Sequence, residues 1–519
     1  MPASPKKNQM MPESVCFDEF FIIKKSGTEV PLLYIKLKLV GEANASSRFL
    51  IDIMGSTSTL GGKIRKRNML YTDLNKNIDV GSSAHLIELG GFKILVDCGM
   101  HPKKMGLEAL PDFSKILDDS LDFILITHAH LDHCGSLPVL LRRQRGARVL
   151  VADESRELLF KMLRNSRTVM MRQRQERDIK EYPLFENSEL DRIAEQLTPM
   201  AYNRERVFEA DGRRISIKFL PAGHIPGAAQ ILIEFNKKKY LFSGDISFHD
   251  TTLLKGAAQT DEKVDVMVVE TTRGMRDRRE MGDYLSERER LVDSVARIVD
   301  DGGNVLIPAF ALGRMQEILL IIERAKRAGK IPQETPVFIG GLAVDVAEHL
   351  MKLSKNSAYI NFGKHSLDGA KVIRGKIEIG RDFDEKGIYI LGSGMMIERT
   401  PAYLAATGII GNPANAVFLV GYCDPETPAY KLLNTPLGGD FAFRDQFFVG
   451  QVNCKVDQFD LTSHADRDEI LEYVLRHDPR CVVLTHGSEE SRDWFMFEVL
   501  DRLPKTNVVI PEPSKTIEL

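Results

Sequence analysis

The sequence predicts an α/β protein built mainly on parallel sheet, and three observations carry that expectation. From about residue 275 onward, short apolar runs alternate with helical patterns: NVLIPAF with GRMQEILLIIERAKRAGK, PVFIGG with AVDVAEHLMKL, IYILGSG with PAYLAATG. Strands separated by single helices are the pattern of right-handed crossover units and a parallel sheet. Earlier runs such as FILIT and RVLVA are apolar throughout rather than alternating, as in strands covered on both faces. Residues able to bind metal recur just after such runs, at the strand ends where open α/β sheets place their sites.

In chain order, residues 1–14 are polar and Pro-containing and are expected to be disordered. Residues 15–78 form a strand-rich N-terminal extension, with FFIIKK, PLLYIKLKLV and RFLIDIM joined by Gly, Asn and Ser turns. SAHLIEL and FKILVDCG read as a hairpin joined by Gly90 and Gly91. FILIT, a helix over 136–144, the strand RVLVA and a long helical pattern over 153–180 follow. Next come the strands RISIKFL, AQILIEF, KKYLFSG and VDVMVVE, then the strand–helix alternation up to NAVFLVGY. After residue 455 two more units appear, KVDQFDL with DRDEILEYVL and CVVLTHG with SRDWFMFEVL. There is no internal repeat and no low-complexity tract. A chain of 519 residues accommodates two or three domains.

Apolar residues make up 43 % of the chain, enough for a sizeable core, and the formal net charge is only −3. Global charge therefore selects no class of partner, and any basic surface must be local. One candidate is the stretch Lys161 to Lys180, with seven Lys/Arg against two acids, which Arg142, Arg143, Arg145 and Arg148 could extend. Such a run is either an ordinary solvated helix face or a surface that tracks RNA. Six scattered cysteines with no C-x-x-C pair indicate neither a zinc ribbon nor a disulfide framework. They read as reduced thiols of an intracellular, cytoplasmic protein. The N-terminus lacks the apolar region of a signal peptide, and no apolar run is long enough for a membrane span.

The chemistry concentrates in HAHLDH, where His128, His130, Asp132 and His133 crowd into six positions after a buried strand. His128 and His130 can reach one metal while Asp132 and His133 reach a second. Imidazole with carboxylate suits zinc or a metal of similar hardness. Asp97 closes FKILVD, His224 sits in FLPAGH, Asp245 in YLFSGD and His486 in CVVLTH. Any one of these could simply cap a turn; their recurrence at strand ends favours a shared site.

Taken together, H-x-H-x-D-H, the strand-terminal Asp97 and the AGH and SGD motifs resemble the metallo-β-lactamase superfamily. Glu270 in VVETTRG, PAFALGRMQEIL, His464 in TSHAD and His486 in VVLTHGS narrow the resemblance to the β-CASP nucleases of the RNA-processing branch. It covers roughly residues 79–500. It implies an αββα sandwich (79–273 and 457–519) with a β-CASP domain of mainly parallel sheet (274–456) inserted, and a site in the cleft between them. It implies one metal held by His128, His130 and His224, another by Asp132, His133 and His486, with Asp245 bridging and Asp97 orienting a ligand. Two zinc ions, with manganese compatible, would activate a bridging hydroxide for attack on phosphorus, leaving 5′-phosphate and 3′-hydroxyl ends. The Glu270–His464 pair is the candidate proton donor to the leaving oxygen, since a carboxylate raises an imidazole's pKa. The catalytic set expected is Asp132, Glu270 and His464.

Arg314, which opens a helix, is either a solvated charge or a phosphate contact. Ser393 and Gly394 in LGSGMM resemble the family's substrate-side turn. A histidine at 486 favours RNA over DNA, since that motif typically carries valine in the DNA-repair branch. Two departures bear on substrate preference: Arg273 stands where motif A usually continues with an aromatic residue, and the turn after SGM is poorer in Gly. The leading expectation is a zinc-dependent ribonuclease, endo- or 5′-exonucleolytic, with RNA as partner. A homo-oligomer is compatible with it. The rivals are a hydrolase of small esters, lactams or thioesters, a non-catalytic RNA-processing scaffold, and a DNA nuclease.

Overall fold

The computed structural model describes residues 69–210, 212–260, 262–277 and 282–519, together with the backbone of three strands nearer the N-terminus. Those three, Glu19–Phe21, Tyr34–Val40 and Arg48–Met54, form an antiparallel sheet in a unit of their own. The expectation for residues 1–14 lies outside the described residues.

The second unit, Arg67–Leu519, begins with two seven-stranded sheets. The first runs in the order Thr516–Glu518, Leu70–Asp73, His85–Leu89, Phe92–Val96, Phe123–Ile126, Arg148–Ala152, Leu197–Met200. The second runs Glu205–Ala210, Arg213–Pro221, Ala229–Phe235, Lys238–Phe242, Val266–Glu270, Cys481–Thr485, Asn507–Val509. Alternation of side chains along each strand explains the layering. Phe92, Ile94, Phe123 and Leu125 from one sheet meet Ile217, Phe219, Ile231 and Phe242 from the other in one core. The intervening residues Leu95, Ile124 and Ile126 face outward onto the helices Leu137–Leu141 and Arg156–Arg177. On the far side Leu241, Met267 and Val482 pack under Arg467–His477 and Glu489–Arg502. The order of layers is helix, sheet, sheet, helix.

Between residues 284 and 459 lies a six-stranded sheet, ordered Ala370–Val372, Val337–Ile339, Ile388–Leu391, Val305–Pro308, Ala416–Val420, Lys455–Phe459. Every pairing in it is parallel. Helices cover both faces: Tyr284–Asp300, Arg314–Arg327 and Leu342–Leu353 on one, Pro401–Ile409 on the other. Strand Lys455–Phe459 is the edge of this sheet, so the chain returns to the sandwich only after Phe459. The changeover expected at 456/457 falls inside that strand. Similarly, Leu70–Asp73, read as part of the extension, pairs with His85–Leu89 in the sandwich.

Candidate metal centre and acid–base pair

Each candidate ligand sits where a strand stops. Phe123–Ile126 ends two residues before His128, and His130 caps the single turn Leu131–Cys134 that carries Asp132 and His133. Asp97 follows Phe92–Val96, His224 follows Arg213–Pro221, Asp245 follows Lys238–Phe242 and His486 follows Cys481–Thr485. The backbone is bent to put them there. Asp97 (φ 62°) and His486 (φ 52°) both occupy the left-handed region, a conformation that costs about 1–3 kcal/mol outside glycine and clusters at functional sites. Gly244 (φ 53°), just before Asp245, passes so close to Thr127 that an added Cβ would lie 2.9 Å from its side chain.

These loops bring seven side chains together. Donor atoms of His128, His130, His224 and Asp245 all lie within 4.8 Å of one another, and so do those of Asp132, His133 and His486. Asp245 divides its carboxylate between the two groups. Its Oδ2 faces Nε2 of His128 (3.7 Å) and of His224 (3.5 Å), while its Oδ1 faces His133 Nε2 (3.4 Å) and His486 Nδ1 (3.2 Å). Nε2 of His128 and Oδ1 of Asp245 are both buried without a hydrogen-bond partner. Two orphaned polar atoms aimed into a nest of imidazoles and carboxylates are what a cation site requires, and the donor set fits two ions such as zinc. Burial holds the His128 and His224 imidazoles below their ordinary range, in the neutral form that can donate a lone pair.

Neighbouring groups fix the rings. Asp97 accepts from His133 Nδ1 (2.7 Å) and from Thr127 N (2.8 Å), and His128 Nδ1 points at Thr127 Oγ1 (3.1 Å). His224 Nδ1 donates to the Ser463 carbonyl (2.8 Å), and His486 Nδ1 meets Thr272 Oγ1 (3.1 Å). With Nδ1 of His128, His133 and His224 held in this way, Nε2 of each is presented to the cluster. Thr127, Thr272 and Ser463 were invisible in the sequence, because a hydroxyl or a carbonyl carries no signal until the fold places it.

Beside the cluster, Glu270 accepts from His464 Nδ1 (2.9 Å) and from Ile246 N (2.6 Å). His464 Nε2 lies 3.9 Å from Asp245 Oδ2, so this face of the ring looks toward the candidate metal ligands. Burial lowers the imidazole's pKa, but the Glu270 charge and hydrogen bond outweigh it and the net shift is upward. Arg273 joins the halves of this pair. Its guanidinium is nearly buried and grips both oxygens of Asp460 (3.0 and 2.6 Å) and Asp466 Oδ1 (3.0 Å), the acids that flank His464 in the chain. Asp466 also caps the helix Arg467–His477. The arginine that departs from the expected aromatic therefore has a local cause: the half-buried Asp460 and the buried Asp466 need a cation there.

Arg314, Ser393 and Gly394 lie outside this constellation. Arg314 is buried and ion-paired with Glu317, so its charge is spent inside the protein rather than offered to a phosphate. Ser393 Oγ accepts from Ile397 N (2.9 Å), and Gly394 packs on the Phe310 ring. Ion pairs span from the sandwich to the six-stranded unit: Lys103 with Asp424 (2.6 Å), Arg177 with Glu398 (3.0 Å) and Arg399 with Glu176 (2.9 Å). In the long basic helix Arg167 is also engaged, by Glu186 (2.6 Å).

Comparison with known proteins agrees with this geometry. Residues 78–299 match the metallo-beta-lactamase superfamily, 315–432 the Beta-Casp domain, and 449–511 the Zn-dependent metallo-hydrolase RNA specificity domain. The chain is 28 % identical to "Probable RNase MJ4" of Methanocaldococcus jannaschii, over 82 % of this chain and 96 % of the relative. It is 27 % identical to "RNase aCSPSF2" of Saccharolobus solfataricus, over 94 % and 93 %. It is 28 % identical to "Cleavage and polyadenylation specificity factor subunit 3" of Dictyostelium discoideum, over 86 % of this chain and 57 % of that longer protein. A solved structure of a protein of unknown function from Enterococcus faecalis V583 superposes with a TM-score of 0.52 at 15 % identity, covering 87 % of this chain and all of the other; that likeness speaks to fold alone.

Proposed function

The chain belongs to the metallo-β-lactamase superfamily and carries its Beta-Casp domain, and from that premise we propose that it is a metal-dependent ribonuclease. It hydrolyses RNA phosphodiesters and leaves 5′-phosphate and 3′-hydroxyl ends. The observation that carries this reading is the division of Asp245 between two ligand groups with the Glu270–His464 pair alongside. His128, His130 and His224 would hold one zinc ion, Asp132, His133 and His486 the other, and Asp245 both; manganese suits the same donors. When bound, such a pair activates water at neutral pH and neutralises charge growing on a phosphoryl group.

The protein's own side chains do the rest. Asp97 keeps His133 aimed at the cluster. His464, charged through its contact with Glu270, delivers a proton from Nε2 to the departing 3′-oxygen. Arg273 keeps the pair in register. Exposed Phe310 and Tyr422, just beyond the C-terminal ends of two parallel strands, offer stacking surfaces for unpaired bases. A non-catalytic scaffold would not need all seven ligands converging as they do. No described helix is long and apolar enough to cross a membrane. The five described cysteines are buried and unpaired, which supports a cytoplasmic location.

Matched single-stranded RNA and DNA at one salt concentration test the reading, since phosphate contacts make affinity salt-dependent. RNA should be cleaved and DNA largely spared; equal turnover would sink the assignment. End-labelled RNA bearing 5′-triphosphate, monophosphate or hydroxyl then separates internal cleavage from 5′-exonucleolytic action. Arg273→Lys should slow saturated turnover by about 10–100-fold, the usual weight of a residue that orients a ligand or a catalytic group. KM and metal content should stay near wild type. A loss confined to KM would assign Arg273 to substrate binding instead.

A further inference from the structure

Away from the metal cluster, a pocket of about 330 Å³ opens between the helix Arg314–Arg327 and the loop Asn361–Ser366. Its lining includes Leu320, Glu323, Arg327, Asn361 and Lys364. Glu323 is only 5 % exposed, and its Oε1 is buried with no hydrogen-bond partner. Burial pushes this carboxyl up, against the pull of Lys326 and Arg327. Lys326 is already committed to the Thr335 carbonyl (2.7 Å). Arg327 and Lys364 are exposed at the mouth, and neither takes part in an ion pair among the described residues. Arg324 and Asn361 also line the pocket, and their side chains donate to the Thr252 carbonyl (3.4 and 3.2 Å).

We infer that this pocket is a second binding site, for a guanosine nucleotide, with the base edge on Glu323 and the phosphate between Arg327 and Lys364. A buried carboxylate left unpaired calls for N–H donors. The two rim cations exclude a cationic donor such as a polyamine or a lysine side chain and select an anion. A ligand that joins N–H donors to an anion at nucleotide size meets both demands. Among the four bases only guanine presents two adjacent donors, its ring N–H and its amino group, to one carboxylate. Adenine and cytosine offer the amino group alone, and uracil a single imide N–H. The volume sits at the low end of ligand pockets, roughly 300–1,000 Å³, so it takes one nucleotide rather than a run of them. Glu323 lies nine residues along the helix from Arg314, about 14 Å at 1.5 Å per residue. The Gly313 cap of that helix packs on Ile225, next to His224. The pocket is therefore separate from the metal cluster but tied to it by one rigid element.

The same chemistry is offered by a guanosine within an RNA and by a free guanine nucleotide. The first of these rests on the ribonuclease reading; the pocket itself does not. Titration calorimetry of the full chain with GMP and AMP tests it directly. GMP should bind about tenfold or more tightly than AMP, the weight of a charge-assisted hydrogen bond. Glu323→Gln, nearly isosteric, should erase that preference while the melting temperature stays near wild type. Arg327→Ala with Lys364→Ala should weaken GMP and AMP alike and leave the preference for guanine. Equal binding of the two nucleotides, no binding of either, or a preference that survives Glu323→Gln would overturn the proposal. Competition identifies the source. If GMP inhibits binding of a guanosine-containing RNA but not of its inosine-substituted counterpart, the RNA supplies the ligand. If GMP binds and leaves both RNAs unaffected, the free nucleotide does. GMP binding with Glu323 dependence in a protein that cleaves no RNA would uphold the pocket and reject the ribonuclease reading.

Discussion

Asp245→Ala should lower RNA cleavage by about 10³-fold or more and release metal from both sites. Among the described residues no other side chain serves the two candidate ligand groups at once: Oδ2 faces His128 and His224, Oδ1 faces His133 and His486. Metal-assisted charge stabilisation supplies several kcal/mol of the barrier reduction, and each 1.36 kcal/mol is tenfold in rate. Loss of the bridge also removes the one carboxylate that His128, His224, His133 and His486 all face. Metal analysis after gentle purification should fall from about two ions per chain in the wild type to less than one in the variant. The fold should survive, because Asp245 lies on a loop outside the sandwich core, and a melting curve checks that. A variant that cleaves at near-normal rate with two ions bound would mean the bridge is misassigned.

Much of this arrangement could be read from the residues, for a physical reason. Ligands that must meet at one point are placed by short loops at strand ends, so HAHLDH, AGH, SGD and LTH each follow an apolar run that is itself easy to recognise. Buried parallel strands such as Val305–Pro308 and Ile388–Leu391 leave the same clear trace. What could not be read is whatever depends on distant segments meeting. Strand Lys455–Phe459 looks no different from a sandwich strand until Ala416–Val420 is seen beside it. Arg314 looked available for a phosphate because Glu317, one helical turn on, could not be seen to face it. The Arg273 grip on Asp460 and Asp466 spans nearly two hundred residues; the sequence showed only that the residue was out of pattern. The unpaired Glu323 left no trace at all, since an acid in an amphipathic helix usually faces water.

Glu270→Gln and His464→Ala should each slow cleavage by about 10²–10⁴-fold, the usual contribution of general acid–base help, without loss of metal. The two side chains are 2.9 Å apart and 194 positions apart in the chain. If they act as one proton-donating unit, the double variant should be scarcely slower than the worse single one. The pH profile carries a second signature. Glu270 holds the His464 imidazole above its ordinary range, so the charged acid persists to higher pH and the rate falls only as pH rises through that raised value. With glutamine at 270 the stabilising charge is gone, the imidazolium gives up its proton earlier, and the alkaline limb should move toward lower pH. An unmoved limb would mean that His464 is not the titrating acid, even if the rates fell as expected. Additive losses in the cycle would separate the two residues. A substrate with a leaving group that needs no proton distinguishes proton delivery from a structural effect. Its turnover should be nearly indifferent to His464→Ala, whereas a distorted metal centre would slow both substrates alike.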